Sequence, residues 1–206
     1  MPNSVESPAP RIAAIVLAAG RSTRMGHFKL LADLGGTPML RRVVEAVQAS
    51  RVAQTIVVTG HEAEAVARAL VGLEVAMVHN PRYADGLATS LAAGLAIVRP
   101  EMDGVAVALG DMPQVTAATI DALIAAFAPG MVVVPVRSGE IGNPILWPRQ
   151  AFTRMAALTG DAGARRLLPE FEGYVRRVEV REGDIFADVD TPEALAAVRA
   201  RIAPQS

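Results

Sequence analysis

The sequence predicts an α/β fold in which a mostly parallel sheet lies between two layers of helices. Short apolar runs rich in β-branched residues recur without polar alternation, which is typical of parallel strands covered on both faces. Amphipathic segments separate these runs, and strand–helix alternation implies right-handed βαβ units and a three-layer α/β/α sandwich. The predicted strands are Ile12–Leu17, Thr55–Val58, Val75–Val78, Val105–Leu109 and Met131–Val134.

Three helices carry clear signals. The first is predicted over Pro38–Ala49, where apolar residues fall on one face and charged residues on the other. The second follows Thr116, with apolar residues at helical spacing up to Phe127. The third has Thr191 as its N-cap and Pro192 at its first position.

The regular alternation breaks after about residue 137, where glycine and proline punctuate the chain. In the segment Tyr174–Val180, apolar residues have charged neighbours. We therefore expect a mixed-sheet extension rather than a second domain. Residues 1–11, rich in Pro and Ser, are expected to form a flexible tail, and residues 12–203 one domain.

Composition excludes several classes of function. The 206 residues include no cysteine and three histidines, which excludes disulfides, iron–sulfur clusters, thiolate zinc sites and a cysteine nucleophile. A net charge of −1 does not resemble a nucleic-acid binder. The chain has neither an apolar run long enough for a membrane span nor a signal-peptide core. We expect a cytoplasmic protein without nucleic-acid or membrane partners.

The loop after the first strand is the richest in polar chemistry. Gly20 and Gly26 allow close backbone approach to a ligand, and Arg21, Arg24 and Lys29 add positive charge, a combination that suits a polyphosphate. The spacing matches neither a Walker A loop nor G-x-G-x-x-G. The alternative is a glycine-rich turn with solvated basic side chains.

Carboxylates follow two other segments. Asp111 stands directly after the uncharged strand Val105–Leu109 and its Gly110, where it could ligate Mg²⁺ together with substrate phosphates. Asp188 and Asp190, which strand alternation would send to the same side, are a second source. For each, the alternative is a cap or turn role.

Several ordered motifs together resemble one family. The segment from Leu17 to Lys29 resembles the LAAGxSxRMGxxK signature of the MobA-like nucleotidyltransferases, and similar segments recur over nearly the whole chain. These are Gly35-Gly36-Thr37-Pro38, Asn80-Pro81, Gly86 through Leu91, Gly110-Asp111-Met112-Pro113, Gly142-Asn143-Pro144, Gly160 through Arg165 and Asp188 through Glu193. Within the family, the chain is most similar to the molybdenum cofactor cytidylyltransferases. Guanylyltransferase relatives carry Gly where Ala19 stands.

The resemblance implies a Rossmann-like nucleotide-binding fold and a reaction between CTP and the phosphate of molybdopterin, or its molybdenum form, that releases pyrophosphate. It implies Mg²⁺ as cofactor, with Mn²⁺ able to replace it, and transient contact with a molybdoenzyme or its chaperone. The implied catalytic residues are Lys29, Arg24 and Asp111, and the implied metal ligands are Asp111 and Asp190. Nucleotide binding falls to Leu17, Ala18, Ala19, Gly20, Arg21, Ser22, Lys29, Gly60, Asn80, Ser90 and Gly110, and acceptor binding to Asn143, Asp161 and Arg165.

Some alternatives remain open. Ser90 could instead lie in a helix–sheet seam, and Arg165 could belong to a solvated helix face. The enzyme could guanylylate molybdopterin or activate a sugar or polyol phosphate. In another class, it could be a cofactor-binding chaperone without turnover.

Overall fold

The computed structural model describes residues 9–21, 28–180, 185–186, 188–189 and 191–202. Within these residues, eight strands form one sheet in the order β3-β2-β1-β4-β7-β5-β6, with β8 paired to β5. The strands are β1 (Ile12–Ala18), β2 (Gln54–Thr59), β3 (Ala76–His79), β4 (Gly104–Leu109), β5 (Val132–Arg137), β6 (Glu140–Ile141), β7 (Ile145–Pro148) and β8 (Val175–Glu179).

Helices cover both faces of this sheet. They are α1 (Met39–Gln48), α2 (Ala63–Ala69), α3 (Leu87–Leu95), α4 (Ala117–Ala125), α5 (Phe152–Ala156) and α6 (Pro192–Ile202), with short 3₁₀ segments at Lys29–Leu31, Tyr83–Asp85, Arg149–Ala151 and Ala164–Phe171. Alternate residues of β1 enter two separate cores, one shared with α1, α2 and α4 and the other with α3 and α5. The predicted three-layer α/β/α fold with a mostly parallel sheet is confirmed.

The predicted strands and helices lie within a few residues of their expected bounds. Strands β1, β2 and β4 pair in parallel and are buried on both faces, as their continuous apolar runs predict. Strand β3 differs, because it is the sheet edge and exposes Met77 and His79. The mixed-sheet extension is also confirmed, since β7 runs antiparallel to both β4 and β5.

The last helix begins as its cap predicts. Thr191 Oγ1 accepts a hydrogen bond from the backbone amide of Ala194, at 3.2 Å. Hydrogen bonds from the backbone amide of Glu193 and from Thr191 hold the pKa of the Glu193 carboxyl below its usual value. In the part of the chain that the structure describes, none of the helices is both long and apolar enough to cross a bilayer.

The sheet reverses its strand order between β1 and β4. Strands β2 and β3 extend the sheet on one side of β1, and the later strands extend it on the side of β4. Ligands of open α/β sheets bind at such a reversal, outside the carboxyl ends of the strands. The crevice above β1 and β4 is therefore where the fold itself predicts a binding site.

Candidate active site

Strand register brings the residues predicted from the sequence to one level of the sheet. Ala18 pairs with Thr59, Thr59 pairs with His79, and Leu17 pairs with Leu109. The residues that follow these strands include Ala19, Gly60, Asn80 and Gly110, and they consequently line one edge. Small and polar residues thus gather at the carboxyl ends of these parallel strands.

An ion pair spans the crevice at the strand reversal. Lys29 Nζ lies 2.7 Å from Asp111 Oδ2, and only 11% of the lysine side chain and 20% of the aspartate side chain are exposed. Lys29 comes from the loop after β1, whereas Asp111 follows β4. Two residues that are 82 positions apart (29 to 111) are thus joined at the site predicted for a polyphosphate and its metal.

Close packing fixes the backbone on both sides of this pair. The Gly110 amide donates to the Leu17 carbonyl at 3.0 Å, and a Cβ at Gly110 would lie 3.0 Å from that same oxygen. On the other side, Leu30 is 5% exposed and anchors the 3₁₀ turn that begins at Lys29. Asp111 and Lys29 therefore extend from rigid backbone.

Asp111 has a geometry that fits a divalent cation. Its Oδ1 is buried and has no hydrogen-bond partner among the described residues. A buried carboxylate oxygen without a donor is costly unless a cation or another donor reaches it. Among those same residues, no three histidine, aspartate or glutamate side chains group into a metal site. This arrangement suits Mg²⁺, which commonly binds one or two carboxylates together with substrate phosphates.

The segment that contains Asp188 contacts Asp111 through a backbone hydrogen bond. The Val189 amide donates to the Asp111 backbone carbonyl at 3.0 Å, and the exposed Asp188 is the residue before Val189 in the chain. The strand expected around Asp188 is not present, because residues 188–189 have no regular secondary structure. Asp190, Ser22 and Arg24 lie outside the described residues, so their predicted roles stay predictions.

The loops after β1 and β2 are joined by backbone and ring contacts. The His61 amide donates to the Ala19 carbonyl at 3.1 Å. A Cβ at Gly60 would come within 2.6 Å of Tyr83, so only glycine fits this approach. The guanidinium of Arg21 lies 5.3 Å from the centre of the Tyr83 ring, a cation–π contact that holds the first loop over the third.

Asn80 and Ser90 are brought together, but in a buried network. Asn80 is 4% exposed and Ser90 3% exposed. The Asn80 Nδ2 donates to Thr89 Oγ1 at 2.8 Å and to Ser90 Oγ at 3.0 Å, while Asn80 Oδ1 accepts from the Arg82 amide. These bonds fix the loop after β3 against the start of α3. Their nucleotide contacts stay predictions, and the observed role is to shape that loop.

The segment that begins at Gly160, which is predicted to face the acceptor, packs against the first residues of α3. The Ala88 amide donates to the Gly160 carbonyl at 3.0 Å, and Gly86 has a φ of +112° where it touches the Gly160 backbone. Asp161 and Arg165 are exposed beyond this contact. Asn143 is half-buried, and its amide donates to the Ile185 carbonyl at 2.8 Å. Their contacts with an acceptor stay predictions.

Sequence reasoning did not identify Phe28, His61 and Tyr83 as one cluster. Phe28 and His61 meet edge to face with ring centroids 5.8 Å apart, and His61 lies 6.2 Å from Tyr83. The register of the strands could have indicated this cluster, since the three residues follow β1, β2 and β3 at the edge where Ala19 and Gly60 lie. The cluster lies beyond the carboxyl ends of β1, β2 and β3.

Comparison with known sequences identifies a family. The sequence profile described as "MobA-like NTP transferase domain" matches residues 14–176. The chain is 30% identical over 193 residues to the molybdenum cofactor cytidylyltransferase of Escherichia coli strain K12, covering 92% of this chain and 96% of that protein. It is 29% identical over 204 residues to the purine catabolism protein PucB of Bacillus subtilis strain 168, covering 92% and 97%.

Two further matches are a longer protein that the chain covers only in part and a solved structure. The bifunctional protein GlmU of Agrobacterium fabrum is 43% identical over 128 residues, which cover 60% of this chain but 28% of GlmU. The crystal structure of Rv0371C from Mycobacterium tuberculosis H37Rv in complex with manganese superposes with a TM-score of 0.76 at 31% identity, covering 92% of this chain and 98% of that one. A divalent metal is therefore present in a solved structure of similar sequence.

Proposed function

The chain belongs to the MobA-like NTP transferase family and is a nucleotidyltransferase, and on that premise we propose that it is a Mg²⁺-dependent cytidylyltransferase. Its substrates are CTP and the terminal phosphate of molybdopterin or its molybdenum form, and its products are the cytosine dinucleotide cofactor and pyrophosphate. The relative of that name aligns over almost the full length of both chains, which supports this assignment.

The observation that carries the proposal is the Lys29–Asp111 pair at the strand reversal. Its 2.7 Å contact puts one cation and one carboxylate side by side beyond the ends of β1 and β4. A triphosphate needs both kinds of group, a cation for its oxygens and a carboxylate for its metal. Arg21, held over the Tyr83 ring, follows β1 three residues after its end and would add a second cation.

The reaction needs positioning and charge neutralisation more than proton transfer. The acceptor is a phosphate monoester that is largely ionised at neutral pH, since its second pKa is about 6. One of its oxygens attacks the α-phosphorus of CTP, a new P–O bond forms, and the bond to the β-phosphate oxygen breaks as pyrophosphate leaves. Lys29 would stabilise the charge that accumulates on the phosphates. A bound Mg²⁺ would supply further charge neutralisation and orient the triphosphate.

The acceptor would enter from the side of Asn143, Asp161 and Arg165. Asp161 and Arg165 extend from the segment whose Gly160 is bonded to the start of α3, so the acceptor side has a fixed position relative to the loop after β3. Arg165 carries the charge that a phosphate monoester requires. The finished cofactor would pass to a molybdoenzyme or its chaperone through transient contact.

The chain matches PucB at nearly the same identity and coverage. A second candidate function is therefore nucleotidyl transfer with another nucleotide or another acceptor. A substrate panel separates the two. The purified protein is mixed with Mg²⁺, one of CTP, GTP, ATP or UTP, and molybdopterin, its molybdenum form or a sugar phosphate, and the product is identified by mass. Formation of the cytosine dinucleotide alone supports the proposal. A product with another base or acceptor overturns it, and bound nucleotide without pyrophosphate release would indicate a binding protein.

Base selectivity gives a prediction for Ala19. Guanine is bicyclic and cytosine is a single ring, so the Ala19 methyl group should narrow the pocket in favour of CTP. A difference of this size is worth about 1–3 kcal/mol, or roughly 10–200-fold. We expect the wild type to prefer CTP over GTP, and Ala19→Gly to relax that preference without reversing it, as measured by the product ratio when both nucleotides compete.

Gly20→Ala is the matched control for Ala19→Gly, because it adds a methyl group one residue further along, where nothing lies within 4 Å. We expect it to change the two rates alike and to leave their ratio unchanged. A wild-type preference for GTP would overturn the cytidylyl assignment and leave the family assignment standing.

A further inference from the structure

Lys29 is the only lysine of the chain, since the other nineteen of its twenty basic residues are arginine. The surface pairs Arg41–Glu45 and Arg82–Asp85 use a guanidinium instead. The single ammonium lies against Asp111 in a site where both side chains are mostly covered. The site thus differs from all others in its type of cation.

The two cations behave differently next to a carboxylate. A guanidinium presents a planar fork that binds both carboxylate oxygens at once, whereas an ammonium is a compact charge on a flexible stem. In this structure the ammonium contacts Oδ2 of Asp111, and Oδ1 remains buried without a partner among the described residues. The pair is neutral overall, and Oδ2 is the carboxylate oxygen that has a partner among the residues that the structure describes.

We propose that Lys29 is an exchangeable counter-ion of Asp111, which holds the carboxylate until a triphosphate draws the ammonium away and so frees the carboxylate for the divalent cation. The inference rests on the nucleotidyltransferase function, but it does not depend on which base or acceptor is used. It makes metal binding conditional on the nucleotide. The protein alone should bind divalent cations weakly, because an ammonium at 2.7 Å competes for the same oxygen.

The anchoring of the two residues supports exchange by the side chain alone. The Ala32 amide donates to the Lys29 carbonyl at 2.9 Å, and the neighbouring Leu30 is buried, so the backbone of Lys29 is fixed. Asp111 is fixed through Gly110 and through the bond from the Val189 amide to its carbonyl. Four methylene groups let the ammonium move without any change in the backbone.

The first test measures Mn²⁺ binding without nucleotide, using the electron paramagnetic resonance signal of free Mn²⁺. Lys29→Met removes the charge and retains the apolar stem, so we expect Mn²⁺ affinity to rise by about tenfold or more. Lys29→Arg retains the charge and can occupy both oxygens, so we expect no gain. The double variant Lys29→Met/Asp111→Asn should lose the gain, which would assign it to this carboxylate rather than to surface acids.

The second test uses the fact that the chain has one lysine. Labelling with ¹³C-lysine gives one Cε resonance for the whole protein, and that resonance reports the surroundings of the ammonium. We expect it to shift on addition of tripolyphosphate or CTP without metal, and to stay in place on addition of the same concentration of Mg²⁺ alone.

Two outcomes would overturn the proposal. One is an Mn²⁺ affinity of Lys29→Met within about twofold of the wild-type value, in a variant that melts at the wild-type temperature. The other is a lysine resonance that Mg²⁺ alone shifts as much as tripolyphosphate does. Neither measurement uses turnover or the base, so a failure here is distinct from a failure of the cytidylyl assignment, which the substrate panel tests.

Discussion

Asp111→Asn is expected to abolish turnover and to leave the fold intact. Asparagine has nearly the same shape as aspartate, so the packing around Gly110 should persist. What is lost is the negative charge that pairs with Lys29 and that the proposed metal requires, on a side chain that is only 20% exposed. Loss of one charge–metal contact should raise the barrier by more than about 1.4 kcal/mol, so less than about a tenth of the wild-type rate should remain.

The measurement is pyrophosphate release under saturating CTP and acceptor, together with thermal melting. Asp121→Asn is a suitable control, because Asp121 pairs with Arg51 on the surface at 3.5 Å and lies away from the crevice. That variant should retain wild-type turnover, since surface ion pairs contribute little. Retention of more than about a tenth of the rate in Asp111→Asn would contradict the metal role of the carboxylate. A collapse of the melting temperature would instead make it structural.

The parallel half of the fold could be predicted because its signals are local. A strand covered on both faces needs a continuous apolar run, and β1, β2 and β4 have one in the sequence. Strand β3 has a similar run of apolar residues but lies at the edge of the sheet. Its own sequence does not show whether it is an edge strand or a central strand. The direction of β7 could not be predicted locally either. Strand β7 lies close to β5 in the chain, but it also pairs with β4, which ends 36 positions before β7 begins.

The site divides in the same way between local and distant information. The carboxyl-end rule places Ala19, Gly60 and Asp111 at one edge without any knowledge of side chains. Sequence alone could not show that Asp111 pairs with Lys29, because that contact depends on the packing of β1 beside β4. It also could not show that Asn80 and Ser90 are hydrogen-bonded to each other. The sequence is the same whether two polar side chains face a ligand or bond to each other.

Gly86→Ala is expected to have the largest effect on stability of any single methyl group added to a glycine that the structure describes. Gly86 has φ +112° and ψ 168°, a region that is almost restricted to glycine. A Cβ there would also lie 2.2 Å from the Gly160 carbonyl carbon and 2.3 Å from its oxygen, and backbone atoms cannot rotate away. Strain and overlap together should cost about 2–4 kcal/mol of unfolding free energy.

Gly173→Ala separates the two causes, because Gly173 has φ +85° but nothing lies within 4 Å of its added Cβ. It should cost only about 1 kcal/mol, the backbone contribution alone. The excess in Gly86→Ala then contains the contact with Gly160, which holds the segment proposed to bind the acceptor against α3, together with the more restricted backbone region of Gly86. If the chain relieves the overlap by displacing that segment, the KM for the acceptor should rise more than the KM for CTP, since Asp161 moves with Gly160. Equal stability losses in the two variants would mean that the contact with Gly160 contributes nothing, and that the two halves of the site are positioned independently.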